Sequence, residues 1–420
     1  MPNLYQETAE PAPETSALNA ETKADVVVVG GGVTGLSTAL HLAERGIKVT
    51  LLEAEEPGWG ASGRNGGQVN AGLKPDPDVV ERDFGADLGS RMNAHAGAAP
   101  AFVFELIKRH GIRCEARQNG TLRAAIRPAH AANVRATAAQ LLRRGAPVEL
   151  LDGAATAHAT GTQRYLTAML DRRGGDLNPL SFARGLTRVA MAAGASVHGN
   201  SRVLGLERAG NAWRARTAAG CVTAGHVLLA TNGYTDGLWP GLRRSVVPIF
   251  GAIAATGVLP EPIARTVMPS RCVLYESGAV TVYYRVDAGG RLLIGGRGPM
   301  REIQAAAAIP HLLNYARALW PALTPVRWTH AWGGRLAMTQ DHYPHVHEPA
   351  GGVLVCLGYN GRGVALGTAM GAQLADRIID PLARFDMPIT PLKTIPLHAL
   401  WPLAVRAAIA RGRLSDYLGI

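Results

Sequence analysis

The chain has 420 residues, of which 47% are hydrophobic and 18% charged, and its 43 Lys and Arg outnumber 32 Asp and Glu for a formal charge of +11. This length exceeds one hydrophobic core and predicts two domains, and the composition is that of a globular enzyme. No run of about 18 apolar residues occurs, so no transmembrane helix is expected, and the basic residues are scattered rather than blocked, which argues against a nucleic-acid partner. The four cysteines, Cys114, Cys221, Cys272 and Cys356, form no CxxC pair. They read as small buried hydrophobes of a cytoplasmic protein, with no zinc ribbon or redox dithiol.

Residues 1–23 carry neither a basic nor an apolar signal region and read as an extended or partly ordered arm. Residues 25–53, DVVVVGGGVTGLSTALHLAERGIKVTLLE, then combine five features in order. Val26–Val29 is an unbroken apolar run, as in a buried parallel strand. Gly30, Gly32 and Gly35 follow with GxGxxG spacing, and Val33 and Thr34 open a helix with apolar period. Val49–Leu52 is a second strand ending on Glu53, with Ala54 next. The glycines permit a tight turn, close approach of backbone to a pyrophosphate and close helix packing. The helix N-terminus attracts the diphosphate, and the strand-end acid accepts from ribose hydroxyls. Such an acid disfavours NADP but leaves NAD and FAD open.

The next segment, AEEPGWGASGRNGGQVNAGLKP, is a glycine loop rich in donors, including Gly60, Ala61, Ser62, Arg64, Asn65, Gly66 and Gly67. It suits a cofactor with a second, larger moiety. Further on, Leu180–Gly194 is helical in pattern and HVLLATNGYT (226–235) is a strand entering a turn. Val280–Val286 and Arg291–Gly296 read as strands paired around an Asp-Ala-Gly-Gly turn. Val353–Leu357 is a strand, Gly358–Gly363 a tight turn and Val364–Ile379 a helix, with no strand-terminal acid after it. Without that acid the segment is not a second nucleotide unit. His342, His345 and His347 match no metal-ligand spacing, so no metal is expected.

With these motifs the sequence resembles the D-amino-acid-oxidase-like FAD-dependent oxidoreductases, and within them the branch containing gamma-glutamylputrescine oxidoreductase. The resemblance rests on DVVVVGGGVTGLSTALHLAERG, GWGASGRNGGQ, the LYQETAEP arm, YYRVDAGGRLLIGGR (283–297), HAWGGRLAMTQDHYPHV (330–346) and GYNGRGVALGTAMGAQLA (358–375). It implies an α/β fold, α+β overall. A discontinuous Rossmann-type FAD-binding domain (24–75, 150–240, 335–395) would be joined to an antiparallel-sheet substrate domain (76–149, 241–334), followed by a C-terminal helix over 396–420. It also implies that Val203 lies on the adenine and that Thr231, Asn232 and Gly233 form a second cofactor turn. Gly334, Gly358, Asn360, Gly361, Arg362 and Gly363 would stand beside the flavin, with the last helix directing its N-terminus at the pyrimidine ring.

The resemblance implies non-covalent FAD, since no cysteine lies at 336–338 where some relatives attach it. It also implies hydride transfer from an amine α-carbon to flavin N5, hydrolysis of the imine to an aldehyde, and reoxidation by O2 or by an electron carrier. Ala365 stands where sarcosine-oxidase-like members carry an oxygen-activating lysine, and no lysine lies nearby in sequence. Tyr283 and Tyr284 face opposite sides of a strand, so at most one faces the flavin. Tyr284, Trp332 and Arg335 form the expected catalytic set. Arg335 is one position earlier than the carboxylate-binding arginine of amino-acid-oxidising relatives, which reverses its face and favours an amine substrate. An N-alkyl or D-amino acid dehydrogenase is the alternative.

Overall fold

The computed structural model describes residues 3–278, 281–299, 301, 303 and 305–418. Val280 and both chain ends of the expected arm and C-terminal helix lie outside them. The first sheet runs, from one edge, His345–Ala350, Val353–Leu357, Cys221–Leu229, Glu21–Val29, Val49–Leu52, Ser196–His198. All neighbours are parallel except the edge strand His345–Ala350. A hairpin, Gly205–Ala209 and Ala212–Arg216, adds antiparallel to Cys221–Leu229. Val26–Val29 is buried on both faces, which explains the unbroken apolar run.

The helix Val33–Ala43 crosses between Glu21–Val29 and Val49–Leu52 and is buried along its whole length. It packs on the helices Gly363–Ile379 and Pro179–Ala192. Small residues allow that approach. A Cβ at Gly371 would stand 2.6 Å from the Ser37 side chain, and Ser37 Oγ donates to Thr368 O at 2.7 Å. The last helix of the first unit is thereby locked against the first.

The second sheet runs Trp328–Met338, Val247–Val258, Arg291–Arg297, Tyr283–Val286, Val273–Glu276, Thr121–Ala125, Thr167–Asp171, Val148–Leu151. It is antiparallel apart from one parallel pair, Val273–Glu276 with Thr121–Ala125. Two sequence boundaries shift as a result. The boundary at 150 falls inside the strand Val148–Leu151, and Thr167–Asp171 also belongs to this sheet. The boundary at 335 cuts the strand Trp328–Met338. In both cases pairing with a strand distant in sequence decides membership, which local pattern does not report.

One face of this sheet packs Leu122, Ile294 and Tyr284 against Trp320 and the helix Pro310–Leu319. The other face presents Ile253, Leu293, Trp332 and Tyr283 to the first unit. The N-terminal arm is inserted there. Its short helix Leu4–Thr8 is capped by Asn3, and Leu4 and Tyr5 are each 1% exposed, so this part of the arm is built into the core instead of extended. At the other end, the helix Trp401–Leu418 lies against the second unit, where Ile409 shares a small cavity with Val282 and Leu312. Among the described residues no helix is long and apolar enough to cross a membrane.

Candidate active site

Gly30 adopts φ of 111°, and a Cβ there would stand 2.8 Å from Ala230 O. At Gly35 a Cβ would stand 2.1 Å from Gly30 O, so the turn and the helix can meet only through glycine. Gly32 caps the helix without a side chain, and Val33 N donates to Ser62 Oγ at 3.0 Å. Thr34 Oγ1 and Tyr359 Oη are 2.7 Å apart, tying this helix to the C-terminal turn. Glu53 accepts from Gly31 N at 2.6 Å and from Glu55 N at 3.1 Å, with Ala54 between. Burial holds the Glu53 carboxyl above the usual carboxylate range in spite of these donors.

The donor loop folds back on this turn. Gly60 caps the short helix Ala61–Arg64, and a Cβ on Gly60 would lie 3.0 Å from the Tyr234 ring. Arg64 stacks on Trp59 at 4.5 Å while its Nε donates to Trp59 O. Asn65 Nδ2 donates to Ala61 O and Ser62 O, and its Oδ1 accepts from Gly67 N. The Tyr283 ring covers Gly66, where a Cβ would be 2.5 Å away. Beneath Gly67 lies the Arg285 guanidinium, which donates to Gly66 O at 2.7 Å and pairs with Asp176 at 2.9 Å. Arg117 holds the same carboxylate, and Tyr5 accepts from Arg285 at 3.2 Å. A buried charge cluster thus supports the loop from below.

The remaining cofactor candidates converge from three segments. Val203 is buried with Leu52 and Val29 at the ends of the parallel strands. Thr231 Oγ1 meets Thr235 Oγ1 at 2.6 Å, and Asn232 Oδ1 accepts from Gly358 N at 2.9 Å. Gly233 abuts Arg335 O, and Gly334 lies beside the Arg64 side chain. Asn360 Oδ1 accepts from Thr339 N, with Gly358, Asn360 and Gly361 all at positive φ before Gly363 opens the helix. The expected cofactor residues therefore lie in segments that meet one another at the carboxyl ends of the parallel strands.

The expected catalytic set does not assemble there as a group. Tyr284 is fully buried on the far face of the second sheet, where its hydroxyl donates to Glu276 and its ring meets Trp320 edge-on. It is corrected to a core residue. The strand register sends Tyr283, not Tyr284, toward the glycine loop. Trp332 is 3% exposed, donates from Nε1 to Arg64 O at 3.0 Å, and meets the Tyr5 ring at 5.1 Å, so it braces the loop. The Arg335 guanidinium lies over the Tyr234 ring at 4.6 Å, and its buried Nε has no partner among the described residues.

Beside the crevice lies a cavity of about 610 Å³ whose wall includes Asn70–Lys74, Arg123, Tyr275, Glu276 and Arg362. Arg362 turns its side chain into it, donating to Tyr275 Oη at 3.0 Å and lying 4.9 Å over that ring. Burial alone would raise the Tyr275 hydroxyl, but the guanidiniums of Arg362 and Arg123 hold it below the usual tyrosine range. Lys74 opens to the cavity solvent with protein on most sides. That crowding and the Arg362 charge hold its ammonium below the usual lysine range. Lys74 supplies a lysine near Arg362 that sequence distance concealed. Tyr165, Tyr284 and Tyr315 all donate to Glu276, yet burial keeps that carboxyl above its ordinary range.

A parallel sheet with a glycine turn at its carboxyl edge, joined to a second sheet that walls a cavity, is the arrangement of a dinucleotide-binding protein with a substrate-sized pocket. Residues 25–377 match the DAO family, FAD dependent oxidoreductase, and the chain belongs to that family. It is 33% identical over 392 residues to gamma-glutamylputrescine oxidoreductase of Escherichia coli, covering 91% of this chain and 90% of that one. To a probable oxidoreductase OrdL of Rhizobium meliloti it is 32% identical over 391 residues, covering 91% and 89%. In structure it matches glycine oxidase of Geobacillus kaustophilus with a TM-score of 0.75 at 22% identity, covering 89% of this chain and 99% of that chain. The chain is thus an FAD-dependent oxidoreductase of the kind that acts on C–N bonds of amines and amino acids. Its crevice fits FAD, because the turn admits only glycine, the strand ends on an acceptor, and an unpartnered buried Arg335 Nε is present as a donor.

Proposed function

We propose that this chain oxidises a primary amine of the gamma-glutamylputrescine type, using O2 as the final acceptor. FAD held by these residues would supply a two-electron acceptor for the amine α-carbon hydride that O2 could reoxidise to give H2O2, and the resulting imine would take up water to give an aldehyde and ammonia. The chain's own residues hold, orient and enclose.

Gly30, Gly32, Val33, Thr34 and Gly35 turn the helix N-terminus toward the diphosphate, and Glu53 and Ala54 receive the ribose. Val203 packs at the adenine end. Gly60, Ala61, Ser62, Arg64, Asn65, Gly66 and Gly67 would hold the flavin from the donor loop, and Thr231, Asn232, Gly233, Gly334, Gly358, Asn360, Gly361, Arg362 and Gly363 would hold it from the facing turns. Trp332 and Tyr283 keep water from the loop by packing on it, and rigid positioning of this kind carries most of the rate in such chemistry.

The observation that carries the choice of an amine is the cavity itself. Its wall takes in Asn70–Lys74, a few residues past the glycine loop. Arg335, one position from the place of the carboxylate clamp in amino-acid-oxidising relatives, lies over Tyr234 and is not part of that wall. The test is anaerobic reduction of the holoenzyme by gamma-glutamylputrescine, putrescine, sarcosine and D-amino acids, followed by air. Bleaching fastest with gamma-glutamylputrescine, reversed by air with H2O2, is expected. Fastest bleaching by sarcosine or a D-amino acid would overturn the substrate, and failure of air to restore colour would replace O2 with an electron carrier.

A further inference from the structure

The wall of the 610 Å³ cavity carries five cations and four acids, and the acids are all engaged. Asp76 pairs with Arg123 at 3.1 Å, Glu81 with Arg144 at 2.7 Å and Asp171 with Arg173 at 2.7 Å. Glu276 takes its hydrogen bonds from three tyrosine hydroxyls. Two cations are left over, Lys74 and Arg362. Among the described residues neither is ion-paired with a carboxylate, and Arg362 spends its donors on Tyr275 Oη and Ala71 O. Both line the same wall as Tyr275, whose hydroxyl accepts from Arg362 at 3.0 Å. Two like charges sharing a partly desolvated wall repel each other, and an anion between them relieves both costs.

The volume is that of a medium-sized ligand, well beyond what a glycine-sized substrate needs. A free diamine, doubly cationic at neutral pH, would bring more positive charge to a wall that already has an excess. An amine that also carries a carboxylate would bring the missing charge.

Resting on the amine-oxidising reading above, we infer that Lys74 and Arg362 form an anion seat. The seat selects amines that carry a carboxylate and discriminates against free diamines. Lys74 is the specificity-determining residue of the pair, because Arg362 is also tied to the turn at the cofactor crevice through Gly358–Gly363. Lys74 opens to the cavity and takes no part in the core, so its replacement leaves the fold in place.

The experiment compares gamma-glutamylputrescine with its α-carboxamide, in which the glutamyl carboxylate becomes a neutral amide, on wild-type holoenzyme, Lys74→Met and Lys74→Arg. The wild type is expected to lose roughly 10- to 100-fold in kcat/KM on the amide, chiefly through KM. Lys74→Met is expected to lose the same factor on the acid while changing little on the amide, and Lys74→Arg to restore the preference. Calorimetric titration with glutarate, an unreactive dicarboxylate, supplies a readout that needs no turnover; binding to the wild type that weakens in Lys74→Met is expected. If acid and amide are oxidised equally well by wild type and Lys74→Met, or glutarate binds neither, the anion seat is wrong while amine oxidation stands. If neither amine reduces the wild-type flavin, the amine-oxidising reading itself fails, and the seat with it.

Discussion

The glycine turn and the cavity beside it solve different problems with different parts of the chain. At the turn the backbone does the work: Gly30, Gly32 and Gly35 bring N–H groups and a helix end to one place, and side chains matter mainly by being absent. In the cavity the backbone only carries the wall, and the side chains of Lys74, Arg123, Tyr275 and Arg362 set its character. A backbone site tolerates almost no change at its glycines and serves one cofactor. A side-chain site can be retuned by single substitutions, which is how one cofactor fold serves many substrates.

The contrast is most severely tested at Gly35. Gly35→Val would drive a side chain into Gly30 O, where even a Cβ stands 2.1 Å away, at a cost of about 3 kcal/mol or more. The variant should purify without flavin, read from its flavin-to-protein absorbance ratio; a yellow, active Gly35→Val would break the claim. A comparable loss, but of stability, is expected below the loop. Asp176 is 1% exposed and holds both Arg285 and Arg117, so Asp176→Ala strands two guanidiniums at about 3–5 kcal/mol, measured by denaturant unfolding.

Glu53→Gln keeps the shape and removes the charge that accepts from Gly31 N at 2.6 Å. We expect FAD to bind about tenfold more weakly, close to 1.4 kcal/mol, by equilibrium titration of the apoprotein. The smallest effect belongs to Tyr284→Phe. It removes one of three donors to Glu276 on the far face of the sheet and should cost about 1 kcal/mol of stability with kcat/KM unchanged. A large fall in kcat/KM for that variant would return Tyr284 to the catalytic set.

How far the site could be read in advance follows from the same contrast. The Val26–Glu53 unit and the Val353–Ile379 return segment were legible because a strand, a glycine turn and a helix leave local patterns, and the structure places them nearly residue for residue. The Tyr283–Tyr284 pair was legible as two opposite faces, but not as which face met the glycine loop. That depends on neighbours, with Tyr284 beside Trp320 and Tyr283 over Gly66. Lys74 gave no signal at all, since the residues it shares the wall with, Tyr275 and Arg362, are far off in sequence and its only local mark is the end of a glycine-rich loop.

The amino-acid sequence by itself determined the nucleotide unit, the acid that ends its second strand and the chain's family, because each depends on spacing along a short stretch of backbone. Only the tertiary structure decided where the two sheets divide, that Leu4 and Tyr5 are core residues, and that Lys74 and Arg362 share one wall. Those depend on strand pairing and charge balance between segments far apart in the chain, and such contacts exist only once the sheets have closed on each other.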